Sequence, residues 1–258
     1  MDWRDGRLLW VGWEAERPSW RAVWQEADGR VWMVGAQPTT KDEQWAEALL
    51  GCSHARPAFS DPVLARLGEE FAGLRPFAYG SIYEGLIAAI VGQSITVAAA
   101  AVAQTRLSAL FSPSIELQGR AFWPLPRPDQ LAEASTSLIR QSGVTWRRAE
   151  ALVAVGRAVA AAGLRSREEA LRQPEEIAKM LLRLPAVGPW TASSALLWGV
   201  AAPDAHPTGD VALLRAARAA FANPDLDLKG LDHRAETWRP ARAWAARLLW
   251  TGLLGIAR

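Results

Sequence analysis

The stretch Leu184-Pro185-Ala186-Val187-Gly188-Pro189-Trp190-Thr191-Ala192 has the composition of a tight connection between two helices. One helix begins upstream at Pro174-Glu175-Glu176 and another leaves from Pro189, whose fixed φ suits a first helical position. The first turn of the outgoing helix carries backbone N–H groups without intrahelical partners, at the positive end of the helix dipole. Such a turn binds anions. A nucleic-acid phosphate fits it without any side chain that reads bases. Twenty positions after Trp190 stands Asp210, directly before the apolar run Val211 to Phe221. By itself Asp210 reads as a helix N-cap. A carboxylate there could equally stabilise positive charge at a reacting centre and orient a water. Asn caps about as well as Asp. Asp210→Asn should therefore separate the two readings while leaving the melting temperature nearly unchanged.

Other chemistries find little support. Cys52 is the only cysteine, which excludes an internal disulfide, a multi-cysteine zinc site and a four-cysteine iron–sulfur cluster. His54, His206 and His233 show no metal-ligand spacing and read as surface or capping residues. Neither a P-loop nor a Gly-x-Ser-x-Gly elbow occurs. Of 29 basic residues only Lys41, Lys179 and Lys229 are lysines. Arginine suits bidentate phosphate contacts, though a GC-rich genome produces the same bias. Arg147 and Arg148 read equally as phosphate contacts and as a solvated helix face.

The elements that must position these residues follow from periodicity and punctuation. The chain has 258 residues, half of them hydrophobic, enough to bury a core without staples. Residues 7–35 read as strands: Leu8 to Trp13, Trp20 to Gln25 and Val31 to Val34, with a turn at Asp28-Gly29. Six tryptophans fall before residue 36. They read as core filling for a small sheet, with a base-stacking platform as the alternative. From Lys41 the pattern is helical. Helices fit 42–50, Asp61 to Phe71 with Asp61 as N-cap, and Tyr83 to Leu107 with a break at Gly92-Gln93-Ser94. Others fit 128–141, 146–162, 174–183, 189–199, 210–221 and 234–251. The fold class is mainly α with a small N-terminal antiparallel β segment (α+β). The expected division is a β domain over 1–42 and a helical body over 43–258. No run approaches the ~18 apolar residues of a membrane span, and the N-terminus lacks a signal-peptide core, so a cytoplasmic protein without membrane partners is expected.

On these residues the chain resembles the helix–hairpin–helix superfamily of DNA base-excision glycosylases, in which a Leu-Pro-Gly-Val/Ile-Gly hairpin is followed at similar spacing by an essential aspartate. The closest likeness is to the alkylbase branch, DNA-3-methyladenine glycosylase II. Three further segments carry it: Ile90-Val91-Gly92-Gln93-Ser94-Ile95-Thr96-Val97, Gly143-Val144-Thr145-Trp146-Arg147-Arg148-Ala149-Glu150 and Trp238-Arg239-Pro240-Ala241-Arg242-Ala243-Trp244-Ala245. The resemblance covers roughly 43–258 and only loosely 1–42. It implies a helix–hairpin–helix glycosylase fold with an active-site cleft between two helical subdomains, acting as a monomer on double-stranded DNA that contains damaged bases.

The resemblance also implies roles. Asp210 is the catalytic carboxylate. Trp190, Trp250 and Ser194 fall at base-pocket positions, although core packing is an equal reading for either tryptophan alone. Ala186, Val187, Gly188, Thr191, Gln93 and Ser94 fall at DNA-binding positions. The carbonyls of Leu182, Leu184 and Val187 match those that hold a monovalent Na or K ion in family members; no other cofactor is implied. Bifunctional relatives carry a Schiff-base lysine where this chain has Trp190, so a monofunctional enzyme is expected. The expected substrates are alkylated purines such as 3-methyladenine or 7-methylguanine. The alternatives are deaminated or oxidised purines on the same fold, or a non-catalytic DNA-structure-binding protein. Three departures stand out. Ala186 replaces the hairpin's first glycine, which costs about 1 kcal/mol if that position needs φ > 0. Ser194 stands where the branch has a pocket aromatic. Ser94 replaces the apolar wedge that fills the gap left by a flipped base.

Overall fold

The computed structural model describes residues 2–4, 6–14, 16–28, 30–35, 42–51 and 55–256. Lys41, Cys52 and His54, and Gly29 of the expected turn, lie outside these described residues. The described elements are mainly helical with a small antiparallel sheet, as the α+β reading expects. The chain divides into two compact units: Met1–Ala46 with Ile87–Leu164 and Leu184–Ala186, and Glu47–Leu86 with Arg165–Arg183 and Val187–Arg258.

In the first unit, strands β1 (Asp2–Arg4), β2 (Arg7–Glu14), β3 (Arg17–Gln25) and β4 (Val31–Gly35) form one antiparallel sheet in sequence order. Trp24 pairs with Trp32 across β3 and β4. The sheet shares its compact unit with 87–164. The physical reason is size: four short strands cannot enclose a core of their own. Their aromatic residues pack outward instead. Trp10 meets Trp45 edge-on with centroids 5.2 Å apart, and the Trp13 indole donates to the Leu125 carbonyl at 2.7 Å. The core-filling reading thus describes Trp10 and Trp13, whereas Trp32 is exposed.

Helix α1 (Asp42–Leu50) follows, then α2 (Pro62–Glu70), with Asp61 capping through bonds from the Val63 and Leu64 amides. The apolar run from residue 82 breaks into α3 (Ile82–Gly92) and α4 (Val97–Phe111). Ser94 lies in the turn at φ +54°. A hairpin of β5 (Ile115–Leu117) and β6 (Arg120–Phe122), absent from the sequence reading, turns on Gln118 and Gly119, both at positive φ. The helix expected over 128–141 is two, α5 (Pro128–Glu133) and α6 (Thr136–Arg140). Ala134 is extended, and the Ser135 hydroxyl caps a fresh helix by accepting from the Leu138 amide. Helix α7 (Trp146–Ala162) has the expected bounds.

The second unit adds α8 (Arg167–Arg172), not foreseen, then α9 (Pro174–Leu181), α10 (Pro189–Gly199) and α11 (Val211–Ala220). The helix expected over 234–251 is corrected to α12 (Leu228–Ala235), a single 3-10 turn and α13 (Arg242–Ile256). Pro240 has no amide for an interior helical bond, so the pattern could not run through it. The core of this unit gathers Leu64, Leu67, Leu213, Leu214, Leu248 and Leu249 around Trp238. Helices α3 and α10 touch backbone to backbone: a Cβ on Gly199 would sit 2.6 Å from the Ser81 carbonyl oxygen. Among the described residues no single helix is long and apolar enough to cross a membrane.

Between α9 and α10, Ala186 adopts φ +58°. The hairpin therefore keeps the left-handed geometry a glycine would give it, with alanine strained in it. Two stability outcomes follow, both read by urea denaturation. Gly199→Ala should lower the unfolding free energy by about 2 kcal/mol or more, because backbone atoms cannot yield. The control Gly73→Ala, with open space around its Cβ, should change it by less than ~0.5 kcal/mol. Ala186→Gly should raise it by about 1 kcal/mol; a loss instead would show that the strain is relieved elsewhere.

Candidate active site

The hairpin is built to leave one helix end open. Gly188 is the N-cap of α10 and Pro189 its first residue, so no side chain caps the turn. The backbone geometry is that of an anion-binding helix start. Ile177, Leu181 and Val187 are buried and anchor the approach. Leu182 ends α9 and is exposed. Thr191 is buried.

In the first unit, Gln93 Nε2 donates to the Ala186 carbonyl at 3.3 Å, and the Arg148 guanidinium donates to the Gln93 carbonyl. Arg148, half-buried, thus braces the α3–α4 turn. Burial holds its guanidinium below the usual arginine range. Arg147 is exposed. Ser94 and Ile95 stand out from the turn into solvent.

Asp210 uses both carboxylate oxygens. Oδ1 accepts from the Leu213 amide at 2.6 Å, which caps α11. Oδ2 accepts from the Trp190 indole Nε1 at 2.8 Å. The capping reading is thus correct as geometry, and a second bond ties the cap to the first turn of α10. The expectation that Asp210→Asn leaves stability unchanged is corrected by this bond. An amide presents one N–H₂, which must face either the Leu213 N–H or the Trp190 N–H, donor against donor.

The loop that delivers Asp210 is pinned at two points. Asp204 accepts a two-pronged bond from Arg242, with Nε to Oδ1 and Nη2 to Oδ2 each 2.9 Å, and Arg239 joins it. These arginines belong to the Trp-Arg-Pro-Ala-Arg segment, which gives that segment a physical role. His206, buried, meets Asp232 at 2.8 Å.

Trp190, Ser194 and Trp198 follow one another at i, i+4 and i+8 on α10, so they share one ridge of that helix. Ser194 is buried. Trp198 stacks on Trp250 of α13, centroids 5.5 Å apart at 23°. Trp250 is thus joined to the ridge through Trp198, a residue the sequence reading missed although its spacing from Trp190 signals it. Arg247, one turn before Trp250, was also missed. Its guanidinium lies 4.4 Å over Trp198 and 5.2 Å over Phe77, and Nη2 donates to the Phe77 and Leu197 carbonyls at 2.8 and 2.9 Å. Burial pushes this guanidinium down to about 9, so it stays charged at neutral pH. Nearby, burial raises the Tyr79 hydroxyl, and burial pushes the Glu84 carboxyl up to about 7 although the Ser81 hydroxyl donates to it.

No family model matches the chain. Its curated relatives are DNA-3-methyladenine glycosylases. The Bacillus subtilis DNA-3-methyladenine glycosylase is 28% identical over 158 residues, which span 61% of this chain and 52% of that protein. The chain thus covers about half the length of this relative. The solved 3-methyladenine DNA-glycosylase of Archaeoglobus fulgidus superposes with a TM-score of 0.79 at 19% identity, covering 96% of this chain and 87% of that one. An 8-oxoguanine glycosylase/lyase of Clostridium acetobutylicum, solved with DNA containing 8-oxoguanine, reaches 0.75 at 16% identity over 96% and 84%. The chain has the helix–hairpin–helix DNA glycosylase fold, and its sequence relatives are DNA-3-methyladenine glycosylases.

Proposed function

We propose that this protein is a monofunctional DNA glycosylase of base excision repair that takes alkylated purines, such as 3-methyladenine or 7-methylguanine, out of double-stranded DNA. The observation that carries this reading is the Asp210 carboxylate, oriented by the Trp190 indole and the α11 amide. A damaged base must leave the stack before its glycosidic bond is reachable. As that C–N bond breaks, its electrons leave with the base and the sugar becomes an oxocarbenium ion. Asp210 stabilises that charge and orients the water that attacks it. Trp190 and Trp250 offer π-faces to the base, with Ser194 beside them on α10. The hairpin at Ala186, Val187, Gly188 and Thr191 grips phosphate, and Gln93 and Ser94 approach the strand from the α3–α4 turn. In this reading the backbone carbonyls of Leu182, Leu184 and Val187 hold a Na or K ion.

The monofunctional part of the reading rests on Trp190, whose indole has no amine to form a Schiff base. Lys179 is engaged elsewhere, paired with Glu176 at 2.8 Å on the exposed side of α9. Borohydride added during turnover should trap no covalent protein–DNA adduct, and excision should leave an intact abasic strand until alkali is applied. A trapped adduct would reassign the enzyme as a lyase.

Single-turnover release of base from alkylated duplex DNA tests the activity itself. Loss of the Asp210 charge should slow release by about 10²–10³, the effect of ~3–4 kcal/mol of transition-state stabilisation. Asp210→Asn should also lose about 1–2 kcal/mol of stability from the opposed donors. Asp210→Asn with Trp190→Phe should recover that stability without recovering release. An active Asp210→Asn protein would leave Asp210 as a cap only.

A further inference from the structure

Trp146 opens α7 and, at 50% exposed, is the most open of the described tryptophans. One exposed apolar side chain needs no explanation, but the company of this one does. The Arg140 guanidinium lies 4.4 Å over its ring. Arg147 follows it on α7. Arg106 reaches over from α4: a Cβ on Gly143 would sit 3.8 Å from its Nη1. All of these arginines are exposed, and among the described residues none pairs with a carboxylate. Glu150, the acidic residue closest to Arg147 in sequence, is not paired with it. Like charges gathered in this way repel one another until an anion enters among them. The turn that presents them is held firmly. Thr145 Oγ1 accepts from the Arg148 amide at 3.4 Å, and the Arg148 side chain donates to the Gln93 carbonyl. Gln93 in turn donates to the Ala186 carbonyl at 3.3 Å, so hydrogen bonds tie the first turn of α7 to the hairpin.

We propose that Trp146, with Arg106, Arg140 and Arg147, holds the undamaged strand of the duplex, the ring against the base opposite the lesion and the guanidiniums on the phosphates beside it. The inference rests on the glycosylase reading, in which the hairpin grips the damaged strand. The chemistry of the patch selects this partner. Stacking needs a π-face, and in a closed duplex the faces of the bases are covered by their neighbours. Extruding the damaged base opens a gap in the stack and leaves its partner unpaired. A ring for the base and cations for the backbone are what hold an unpaired base, and the guanidinium fork matches phosphate. The lesion itself does not suit the patch. Three guanidiniums repel a cationic alkylated base, so the patch takes the neutral base of the other strand and leaves the lesion to the site at Asp210.

The test measures affinity for DNA probes that carry a tetrahydrofuran abasic analogue, which cannot be cleaved, so that binding alone is read. One probe is a duplex with the analogue opposite thymine, another the same duplex with the analogue on both strands, and the last the analogue-bearing single strand. In the wild-type protein, removing the opposite thymine should weaken binding about ten-fold, within the range of base–aromatic stacking. Trp146→Ala should bind the thymine duplex about ten-fold more weakly and should respond to removal of the thymine by less than about two-fold. Its affinity for the single strand should also change by less than about two-fold. Trp146→Phe, which keeps a ring, should stay within about three-fold of the wild type on the thymine duplex. Arg106→Gln, Arg140→Gln and Arg147→Gln combined should flatten the slope of log affinity against log salt on the duplexes by about two to three. A wild-type affinity that ignores the opposite base, a Trp146→Ala loss that is equal on every probe, or an unchanged salt slope in the combined variant overturns the proposal. Should Trp146→Ala fail to fold, the wild-type comparison of the two duplexes still decides. Failure to bind any probe, together with no base release from alkylated DNA, overturns the glycosylase reading and this one with it. Base release that responds to Asp210→Asn, beside an affinity that ignores the opposite base, overturns this one alone.

Discussion

The bond from the Trp190 indole to Asp210 is the constraint on which the candidate site depends. It joins the first turn of α10 to the first turn of α11, two helix starts that the chain separates by twenty residues. Each start brings its own positive dipole end, so the carboxylate sits where an anion is favoured from two directions. Much of the second unit can be read as support for this bond. Gly85 and Gly199 let α3 and α10 approach to backbone contact. Arg242 clamps Asp204, and His206 meets Asp232, so the loop leading to Asp210 has little freedom.

The hairpin shows the opposite economy. Its alanine is held in a left-handed conformation and its outgoing helix has no side-chain cap. The left-handed alanine costs stability, and the uncapped helix start is the kind of feature that persists where a ligand uses it. The same logic applies to Arg247, a charge buried among rings and carbonyls. Strained or uncompensated groups of this kind persist only where the surrounding structure over-determines them.

The aromatic content divides by location. In the first unit, Trp10, Trp13 and Trp45 fill space that a small sheet leaves open, with Arg21 wedged between Trp10 and Trp45. In the second, Trp190, Trp198 and Trp250 are only half-buried and follow one ridge and its neighbour. Tryptophan thus does structural work in both units, as Trp10 and the buried Trp238 show, while Trp190, Trp198 and Trp250 keep part of their surface exposed.

The hairpin, the Asp210 cap and most helices were legible in the sequence because they are local: a proline at a helix start, a capping carboxylate and an apolar period each act within a few residues. Where local rules were applied loosely, as across Pro240 or Ser135, the expected helices ran too long. The relationship of Trp190 to Asp210 as a bonded pair, the bracing of Gln93 by Arg148 and the placement of Arg247 over Trp198 were decided only by tertiary packing. Each joins residues distant in the chain, and hydrogen-bond direction and ring overlap depend on how helices cross rather than on what they contain. The grouping of the N-terminal sheet with 87–164 belongs with these, since which surface a small sheet covers is settled by the partner that can bury its tryptophans.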